Sequence, residues 1–283
     1  MEVKKIRTNT LKEKKQAGEK IAALTPYDFP TAKLVDEAGV DVILVGDSVA
    51  NVVLGYETTL PVSMEEMLHH TKAVSRGVQR ALVVADMPFM SYQTDPGEAI
   101  WNAGRFLKEA GAHAVKVEGG GLVLDTISEM VNVGIQVMGH IGFTPQSVHQ
   151  FGTQIIQAKT EEQAAELIEC AKELEEVGVF ALVLECIPAQ VSRMVTEQLG
   201  IPTIGIGAGP HCDGQILVFH DLVGLSQGYH LRFVKQYATL SDTIRDAVGH
   251  YVRDVRENSF PTPDHSLFMS QDELQKLMRA MRG

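Results

Sequence analysis

Residues 42–48 read VILVGDS, and this apolar run that ends on an acid decides the fold. Three later stretches repeat the pattern: ALVVAD at 81–86, AHAVKVE at 112–118 and FALVLE at 180–185. Short apolar runs of this kind are typical of strands that are buried on both faces of a parallel sheet. Parallel strands that each end on an acid bring their carboxylates together at one edge of the sheet. We therefore expect a metal site or an acid/base site at that edge.

Apolar runs alternate with segments of helical spacing along the chain, and about eight such units can be counted. Further strands are predicted at 21–25, 135–140 and 202–206, with a weak eighth strand near 222–224. Repeated βα units indicate an α/β protein with a parallel sheet. About eight of them predict a (β/α)8 TIM barrel.

A short internal repeat supports this fold. Three triplets of the form Glu-x-Gly, at 37–39, 109–111 and 176–178, place a glycine where a helix is expected to end, because glycine tolerates the left-handed conformation found there. An acid follows the glycine after eight, seven and seven residues, respectively. The acids therefore occupy equivalent positions at the carboxyl ends of their strands, which form the catalytic face of a (β/α)8 barrel.

The 283 residues are predicted to form one domain, because no linker rich in Pro, Gly or Ser divides the chain. Residues 1–19 are expected to form a short N-terminal helix that plugs the bottom of the barrel. Capping-box spacing over 10–13 marks the start of this helix, and Gly18 marks its end. The barrel is expected to cover 20–258.

The last part of the chain is predicted to be helical. An amphipathic helix is expected at 241–258, and the proline-containing segment PTP at 261–263 separates it from a final helix at 271–282. We assign 259–283 to a C-terminal helical extension. Such an extension more often makes subunit contacts than performs chemistry.

Composition excludes several classes of function. A formal net charge of −11 without runs of Lys or Arg argues against nucleic-acid binding, which depends on clustered basic residues. The first residues do not resemble a signal peptide, and no stretch reaches the roughly 18 apolar residues that cross a bilayer. We therefore expect a cytoplasmic protein without a membrane partner.

The three cysteines suit neither a disulfide framework nor a zinc motif, because they are odd in number and widely spaced. We expect Cys170, Cys186 and Cys212 to be reduced thiols. Cys186 follows Glu185 directly and could be a nucleophile, but a buried apolar role is favoured for it.

The strand-end acids suggest a specific chemistry. Asp47, Asp86 and Glu118 are hard oxygen donors of the kind that Mg²⁺ prefers. For any one of them, capping of the next helix is the simpler interpretation, whereas three on one barrel face favour the metal. Lys116 lies two residues before Glu118, so both side chains are predicted to share one face of their strand. Inside the barrel, Lys116 could bind a substrate carboxylate or enolate, or form a buried salt bridge.

Polar residues also end two further strands. His140 could orient a substrate or shuttle a proton, or be a structural histidine. Glu185 lies between Leu184 and the CIP sequence at 186–188, and such apolar surroundings suit a general base. The glycine loop at 205–209 could bind phosphate or form a tight turn at the barrel rim.

The chain resembles the ketopantoate hydroxymethyltransferase family over about 25–266. The resemblance rests on many blocks in the family's order, namely TPYD at 25–28, VGDS at 45–48, TLPV at 59–62, ADMPF at 85–89, VKVEGG at 115–120, GHIGFTPQ at 139–146, LECIP at 184–188, IGIGAG at 204–209 and DGQ at 213–215. The chain departs from the family at Val49-Ala50, where Leu-Gly is common, and at Pro26, where Ala is frequent. It also extends beyond the usual family end, near Phe268.

The resemblance implies a (β/α)8 barrel in which Asp47, Asp86 and Glu118 surround Mg²⁺. It also implies that Asp47, Ser48, Asp86 and Lys116 contact a 2-oxo acid. The departures from the family pattern change no proposed ligand, but they lie beside the site and bear on the shape of its loops and on the fit of folate.

The resemblance further implies Glu185 as the proton acceptor and gives His140 an auxiliary role. The family transfers a hydroxymethyl group from 5,10-methylenetetrahydrofolate to 3-methyl-2-oxobutanoate through a magnesium-stabilised enolate. The product, 2-dehydropantoate, serves pantothenate and coenzyme A biosynthesis. Family members form homo-oligomers, commonly decamers, and the resemblance implies the same here.

Three other functions stay open on the residues alone. An isocitrate-lyase-like or phosphoenolpyruvate-mutase-like enzyme would share Mg²⁺ and a stabilised enolate but would not use folate. A non-catalytic scaffold would be expected to have lost at least one of the site residues. A phosphosugar-binding barrel would use the glycine loop at 205–209.

Overall fold

A computed structural model describes residues 4–152, 155–226 and 232–282. It shows a closed barrel of eight parallel strands in chain order, in which the last strand pairs with the first. The strands are β1 Ile21–Thr25, β2 Val42–Val45, β3 Leu82–Asp86, β4 Ala114–Glu118, β5 Val137–Gly142, β6 Ala181–Glu185, β7 Thr203–Ile206 and β8 Gly214–Val218. The predicted (β/α)8 fold is therefore confirmed.

Helices lie between most successive strands and at both ends of the chain. They are α1 Thr8–Ala17, α2 Phe29–Glu37, α3 Val49–Val52, α4 Met64–Gly77, α5 Pro96–Ala110, α6 Leu124–Asn132, α7 Val148–Phe151, α8 Glu161–Glu176, α9 Ala189–Gln198, α10 Phe219–Leu222, α11 Leu240–Arg256 and α12 Gln271–Ala280. Short 3₁₀ helices lie at Gly121–Val123, Pro145–Ser147 and Pro263–His265.

The predicted glycine repeat is confirmed. Gly39, Gly111 and Gly178 have φ angles of 93°, 73° and 98°, and each lies at the end of the helix that precedes β2, β4 or β6. Only glycine adopts this left-handed conformation without a steric cost. The three helices therefore stop at equivalent points and deliver their strands in equivalent positions.

The prediction of an eighth strand near 222–224 is wrong. β8 lies at Gly214–Val218, and the segment 222–224 instead ends α10 and turns through Gly224, which has a φ of 68°. A Cβ atom on Gly214 would lie 2.5 Å from the carbonyl oxygen of Ile21. The close approach that seals the barrel thus demands glycine in this strand, and glycine weakens the apolar signal by which a strand is recognised.

Two hydrophobic clusters form the core and alternate along the strands. On β4, Ala114 belongs to the cluster inside the barrel, whereas Val115 and Val117 belong to the cluster between the barrel and its helices. The inner cluster also contains Leu11 of α1, which is completely buried. The N-terminal helix therefore contributes a side chain to the interior of the barrel.

The start of α1 differs from the prediction. The helix begins at Thr8, so the capping box predicted over 10–13 is wrong. Thr10 Oγ1 instead accepts a hydrogen bond from the backbone N–H of Arg7, at 3.3 Å, and belongs to the first turn of the helix. Gly18 ends the helix with a φ of 71°, as predicted.

The helices α11 and α12 agree with the helices predicted at 241–258 and 271–282 to within two residues. Neither buries any of its residues in the single chain. Both expose apolar side chains at helical spacing, namely Ile244, Val248, Tyr251 and Val255 on α11, and Leu274, Leu277 and Met278 on α12. Within the described ranges, none of the helices combines the length and apolar character that spanning a bilayer requires.

Asp36 ties α2 to the segment that enters β3. Its buried carboxylate accepts hydrogen bonds from the backbone N–H groups of Gln79, Arg80 and Ala81 at 2.7–3.2 Å.

We expect Asp36→Asn to lower the free energy of unfolding by about 2–3 kcal/mol, because an amide nitrogen would face one of these donors. Urea unfolding at one protein concentration measures the change. The exposed neighbour Glu37→Gln is the control and should change stability by less than about 0.5 kcal/mol, whereas equal effects would contradict the role of Asp36.

Candidate active site

A cavity of about 400 Å³ opens among the carboxyl ends of the strands. Its walls include each residue that the sequence singled out, namely Asp47, Ser48, Asp86, Lys116, Glu118, His140 and Glu185. Phe143, Val148 and Phe233 add apolar wall. A concave, mostly apolar space with a few convergent polar groups is typical of a small-molecule site.

Strand alternation explains why these side chains meet. Lys116 and Glu118 follow Ala114 at intervals of two residues, and Ala114 lies in the inner cluster. On β6, Glu185 follows Val183 of the inner cluster in the same way. Strand alternation therefore turns these polar side chains into the barrel beyond the last inward-facing apolar residue. The prediction that Lys116 and Glu118 share one face of their strand is confirmed.

Lys116 lies at the centre of the buried charges. Its Nζ is 2.9 Å from Asp86 Oδ1 and 3.4 Å from Glu118 Oε1. Burial alone would lower the pKa of Lys116, but Asp86 and Glu118 outweigh it and hold this pKa well above its usual range. The side chain is a permanent buried cation, so the salt bridge considered from the sequence is present.

The pKa values of the three acids shift in different directions. Burial raises the pKa of Asp47 well above its usual value, and repulsion from Asp86 and Glu118 raises it further. The pKa of Asp86 is also raised by burial, although Lys116 opposes the change. Burial would likewise raise the pKa of Glu118, but Lys116 and a hydrogen bond from His140 lower it to about 2. One lysine does not neutralise all three acids.

The carboxylate oxygens of the three acids are of the kind that Mg²⁺ binds. Asp86 Oδ1 is buried, and the contact with Lys116 falls outside hydrogen-bond angles, so this oxygen has no hydrogen-bond partner in the described structure. Hard carboxylate oxygens with excess negative charge fit a divalent cation. In residues 4–152, 155–226 and 232–282, no group of three or more His, Cys, Asp or Glu side chains is already arranged to hold a metal ion. The carboxylates therefore supply donors of the right kind, and an ion would draw their remaining oxygens closer together.

His140 lies between two carboxylates. Its Nδ1 is 3.2 Å from Glu118 Oε1, and its Nε2 is 3.2 Å from Glu185 Oε2. Burial and Lys116 lower the pKa of His140, but the interactions with Glu118 and Glu185 prevail and raise it to about 9. With both ring nitrogens protonated, Nδ1 donates to Glu118 and Nε2 places positive charge beside Glu185, against the repulsion of Lys116 Nζ, which lies 3.1 Å from Nδ1.

We expect the metal-free protein to lose stability as the pH rises from 6.5 to 9.5. The pKa of His140 is about 9 in the folded protein and near its ordinary value of 6.5 in the unfolded chain, so its contribution is complete below 6.5 and disappears through 9. The loss is up to about 3 kcal/mol, since one pKa unit corresponds to about 1.4 kcal/mol. Urea unfolding with a chelator measures it. His140→Gln should flatten the profile, and an unchanged slope in this variant would contradict the assignment.

The helix-capping alternative does not hold for Asp47. Ser48, rather than Asp47, occupies the N-cap position of α3, and its side chain makes no capping hydrogen bond. The Ser48 hydroxyl instead lies 2.8 Å from the Tyr27 hydroxyl. The backbone N–H of Asp47 donates to Asp86 Oδ2 at 3.1 Å, so the ends of β2 and β3 are joined directly.

The glycine loop at 205–209 behaves as a tight turn. Gly207 and Gly209 have φ angles of 63° and 80°, and Cβ atoms there would press against Phe233 and Ala189. Of this loop, Ile206 lines the cavity. Burial and the neighbouring Glu185 raise the pKa of Cys186 to about 12, which suits the predicted apolar role rather than a nucleophile.

Two residues of the site were missed at the sequence level. Gln146 donates from Nε2 to Asp47 Oδ2 at 3.0 Å and from its backbone N–H to Glu118 Oε2 at 3.0 Å. The Tyr92 hydroxyl donates to Gln146 Oε1 at 2.8 Å. The sequence TPQ at 144–146 indicates a helix start, and a 3₁₀ helix does begin there, but that pattern gives no sign of the polar contacts.

Gly142 brings the ends of β5 and β6 into direct contact. It has a φ of 98°, and a Cβ atom there would overlap the carbonyl oxygen of Glu185 and lie 2.9 Å from Ile187 Cγ2. The backbone N–H of Phe143 donates to the same carbonyl oxygen at 2.9 Å. The backbone that carries Glu185 is therefore fixed by close packing as well as by strand pairing.

Comparison with known proteins places this site in a family. The model of the ketopantoate hydroxymethyltransferase family matches residues 5–263, which include the whole barrel and the cavity. The chain belongs to this family. Relatives named 3-methyl-2-oxobutanoate hydroxymethyltransferase match it over nearly their full lengths. One from Thermoanaerobacter sp. (strain X514) is 53% identical over 95% of this chain and 98% of its own. One from Carboxydothermus hydrogenoformans is 52% identical over 96% of this chain and 99% of its own. One from Syntrophus aciditrophicus is 54% identical over 93% of this chain and 97% of its own.

Solved structures place the ketopantoate hydroxymethyltransferase barrel among similar folds. A phosphonopyruvate hydrolase in complex with oxalate and Mg²⁺ has a TM-score of 0.59 and 15% identity, over 98% of this chain and 96% of that one. A phosphoenolpyruvate phosphomutase from Streptomyces platensis subsp. rosaceus has a TM-score of 0.60 and 14% identity, over 97% of each chain. A 2,3-dimethylmalate lyase, a member of the PEP mutase/isocitrate lyase superfamily, has a TM-score of 0.57 and 16% identity, over 97% of this chain and 96% of that one. At these identities the similarity shows the fold alone.

Proposed function

We propose that this chain transfers a hydroxymethyl group from 5,10-methylenetetrahydrofolate to 3-methyl-2-oxobutanoate, giving 2-dehydropantoate for pantothenate and coenzyme A biosynthesis. The observation that carries the proposal is that Lys116, three buried acids and Glu185 line one cavity in a chain of this family. Curated relatives bear the name of this hydroxymethyltransferase. Water supplies the hydroxyl oxygen and tetrahydrofolate leaves, so the atoms balance.

Lys116 is the residue that holds the 2-oxo acid in this proposal. Its ammonium group is buried, protonated and fixed by Asp86, so it can meet a carboxylate or a developing oxyanion without rearranging. A preorganised cation in a site of low dielectric stabilises such negative charge strongly. The Ser48 hydroxyl, held near the Tyr27 hydroxyl, is placed to donate a further hydrogen bond to a substrate oxygen.

Glu185 is the proton acceptor in this proposal. Its side chain is 17% exposed, whereas those of Asp86 and Lys116 are 2% and 4% exposed, so it is the more accessible to a substrate carbon. The carboxylate removes the proton from C3 of the 2-oxo acid, which leaves an enolate. His140 Nε2 lies 3.2 Å from Glu185 Oε2 and helps to orient this carboxylate. General bases of this kind typically contribute about 10²- to 10⁴-fold to a rate.

Asp47, Asp86 and Glu118 would hold Mg²⁺. Asp86 Oδ1 supports this assignment, because it is paired with Lys116 but accepts no hydrogen bond in the described structure. When bound, Mg²⁺ supplies positive charge that polarises the substrate carbonyl and makes the C3 proton more acidic. Asp47 and Asp86 would then stay ionised, because a cation opposes the burial and repulsion that raise their pKa values.

The folate donor would enter past the apolar part of the wall. Phe143 and Phe233 offer aromatic faces on which a pterin ring could stack, and both line the cavity that holds Glu185. The enolate carbon forms the new carbon–carbon bond with the methylene carbon of the donor. Both carbon–nitrogen bonds of that methylene group break, tetrahydrofolate leaves with the two nitrogens protonated, and water supplies the hydroxyl oxygen. The wall formed by these side chains also limits access of water to the enolate.

Proton NMR of 3-methyl-2-oxobutanoate in D₂O tests the proposal. We expect the C3 proton signal to disappear when protein and Mg²⁺ are both present, and to persist when a chelator is added. Addition of methylenetetrahydrofolate should then produce a hydroxymethyl signal. Absence of exchange under every condition would overturn the proposal and redirect the search to isocitrate-type or phosphonate substrates, or to a scaffold role.

We further propose that the protein acts as a homo-oligomer in the cytoplasm. The apolar faces of α11 and α12 are uncovered in the single chain, and a second copy would cover them. Cys170, Cys186 and Cys212 are free thiols, which suits a reducing compartment. Light scattering of the purified protein tests the assembly, and a monomer would contradict it.

A further inference from the structure

Gln146 joins the ends of three strands from its position after β5. Its side chain is buried, and its Nε2 donates hydrogen bonds to Asp47 Oδ2 at 3.0 Å and to the carbonyl oxygen of Met87 at 2.9 Å. Its backbone N–H donates to Glu118 Oε2 at 3.0 Å. A single residue therefore contacts the segments at the carboxyl ends of β2, β3 and β4.

The other end of the amide is held equally firmly. Gln146 Oε1 accepts hydrogen bonds from the Tyr92 hydroxyl at 2.8 Å and from Gln93 Nε2 at 3.3 Å. The Tyr92 hydroxyl accepts in turn from the backbone N–H of Glu118, at 3.2 Å. These contacts close a ring that leaves the backbone of Glu118, passes through Tyr92 and Gln146, and returns to the carboxylate of Glu118.

The orientation of the Gln146 amide is determined by its neighbours. The two groups near Nε2, from Asp47 and Met87, can only accept, whereas the two groups near Oε1 can donate. Reversal of the amide would place an oxygen against a carboxylate and a carbonyl in a buried site. All the hydrogen-bonding capacity of the side chain is therefore used, and no other orientation satisfies it.

Asp47 and Glu118 both bear carboxylates at the cavity wall and repel each other. Lys116 contacts Asp86 and Glu118, whereas Asp47 receives its side-chain hydrogen bond from Gln146. Gln146 donates to Asp47 from its side chain and to Glu118 from its backbone, and so keeps the two carboxylates at a fixed separation. Loss of the side-chain donors would release Asp47, while the backbone N–H would still hold Glu118, so the two carboxylates could move apart.

We propose that Gln146, supported by Tyr92, is a positioning residue that fixes the carboxylates of Asp47 and Glu118 for binding of a divalent cation and a 2-oxo acid. The inference rests on the proposed function for the identity of these ligands. Gln146 contacts the acids and acts through them, so it takes no part in proton transfer. The carbon–carbon bond-forming step is therefore unaffected except through ligand binding.

Gln146→Glu is the sharpest test, because the variant side chain keeps its shape but loses both amide donors. We expect the affinity for Mg²⁺, measured by calorimetry without substrate, to fall by about 10- to 100-fold, the usual effect of losing a partner of a metal ligand. The apparent KM for 3-methyl-2-oxobutanoate in the exchange assay should rise in parallel, with a smaller change in kcat. Gln150→Glu introduces the same charge on an exposed residue of the same segment and should change each value by less than about twofold.

Two further variants keep the test valid if Gln146→Glu does not fold. Gln146→Met removes the donors without adding charge and should weaken Mg²⁺ binding by about tenfold. Tyr92→Phe leaves the Gln146 donors in place but removes one group that orients them, so it should have a smaller effect in the same direction. A purely structural role would instead lower the thermal midpoint of these variants and leave the Mg²⁺ affinity of the folded protein unchanged.

The outcomes separate this inference from the proposed function. Folded Gln146 variants that bind Mg²⁺ within about twofold of the parent protein would overturn the inference, and so would a parent protein that binds no Mg²⁺. A parent that binds Mg²⁺ but does not exchange the C3 proton would overturn the proposed function alone, because the effect of Gln146 on Mg²⁺ affinity would still be measured.

Discussion

Glu185→Gln should reduce exchange of the C3 proton of 3-methyl-2-oxobutanoate by about a thousandfold, within the range expected for loss of a general base. The amide has nearly the shape of the carboxylate but cannot accept the proton. Affinities for Mg²⁺ and for the 2-oxo acid should change by less than about threefold, because Glu185 is not among the proposed ligands. Exchange is followed by proton NMR in D₂O, and binding by calorimetry.

The control for this variant is Glu197→Gln on the outer face of α9. This side chain is 61% exposed and pairs with Arg193 far from the cavity, so exchange should proceed at the parental rate. If Glu185→Gln retains exchange, Glu185 is not the base. Loss of exchange together with loss of binding would instead mean that the substitution had disturbed the site.

Asp86→Asn should weaken binding of Mg²⁺ and of the 2-oxo acid together, each by at least about tenfold, or about 1.4 kcal/mol. Asp86 contacts Lys116 through Oδ1 and the backbone N–H of Asp47 through Oδ2. Removal of its charge takes away a proposed metal ligand and the nearest partner of the buried lysine. Calorimetric titrations with each ligand, alone and in the presence of the other, measure the coupled loss.

The control for this second variant is Asp95→Asn at the N-cap of α5. Asp95 accepts a hydrogen bond from the backbone N–H of Glu98 at 2.9 Å, and Asn caps helices about as well as Asp. The affinities of Asp95→Asn for Mg²⁺ and for the 2-oxo acid should match those of the parent protein. Unchanged affinity of Asp86→Asn for both ligands would break the assignment of Asp86 to the metal site.

Much of the fold was accessible from sequence because the barrel repeats one local rule. An apolar run follows a glycine-ended helix and ends on a polar residue, and strand alternation then directs that residue into the barrel. Glu118 and Glu185 follow this rule in full. Asp86 and Lys116 face inward by the same strand alternation, so the shared position of all four at the cavity could be predicted. Their roles in catalysis stay predictions until the variants are measured.

The features that could not be predicted from the sequence depend on contacts between distant parts of the chain. β8 was misplaced because its first residue, Gly214, is set by close contact with β1 rather than by an apolar pattern. Gln146 and Tyr92 were missed because each acts through hydrogen bonds to residues more than 25 positions away. A single polar residue in a loop has no periodicity, so local patterns give it no distinguishing signal.

The contact of Gly142 with Glu185 has a consequence for altering the substrate range of this enzyme by design or by directed evolution. No side chain can be added at Gly142 without displacing the backbone that carries the proposed base. Libraries aimed at bulkier 2-oxo acids should therefore leave this rim intact and vary apolar side chains that line the cavity, for example Val148 and Phe233. Lineages that acquire new acceptors are expected to differ there and to retain glycine at position 142.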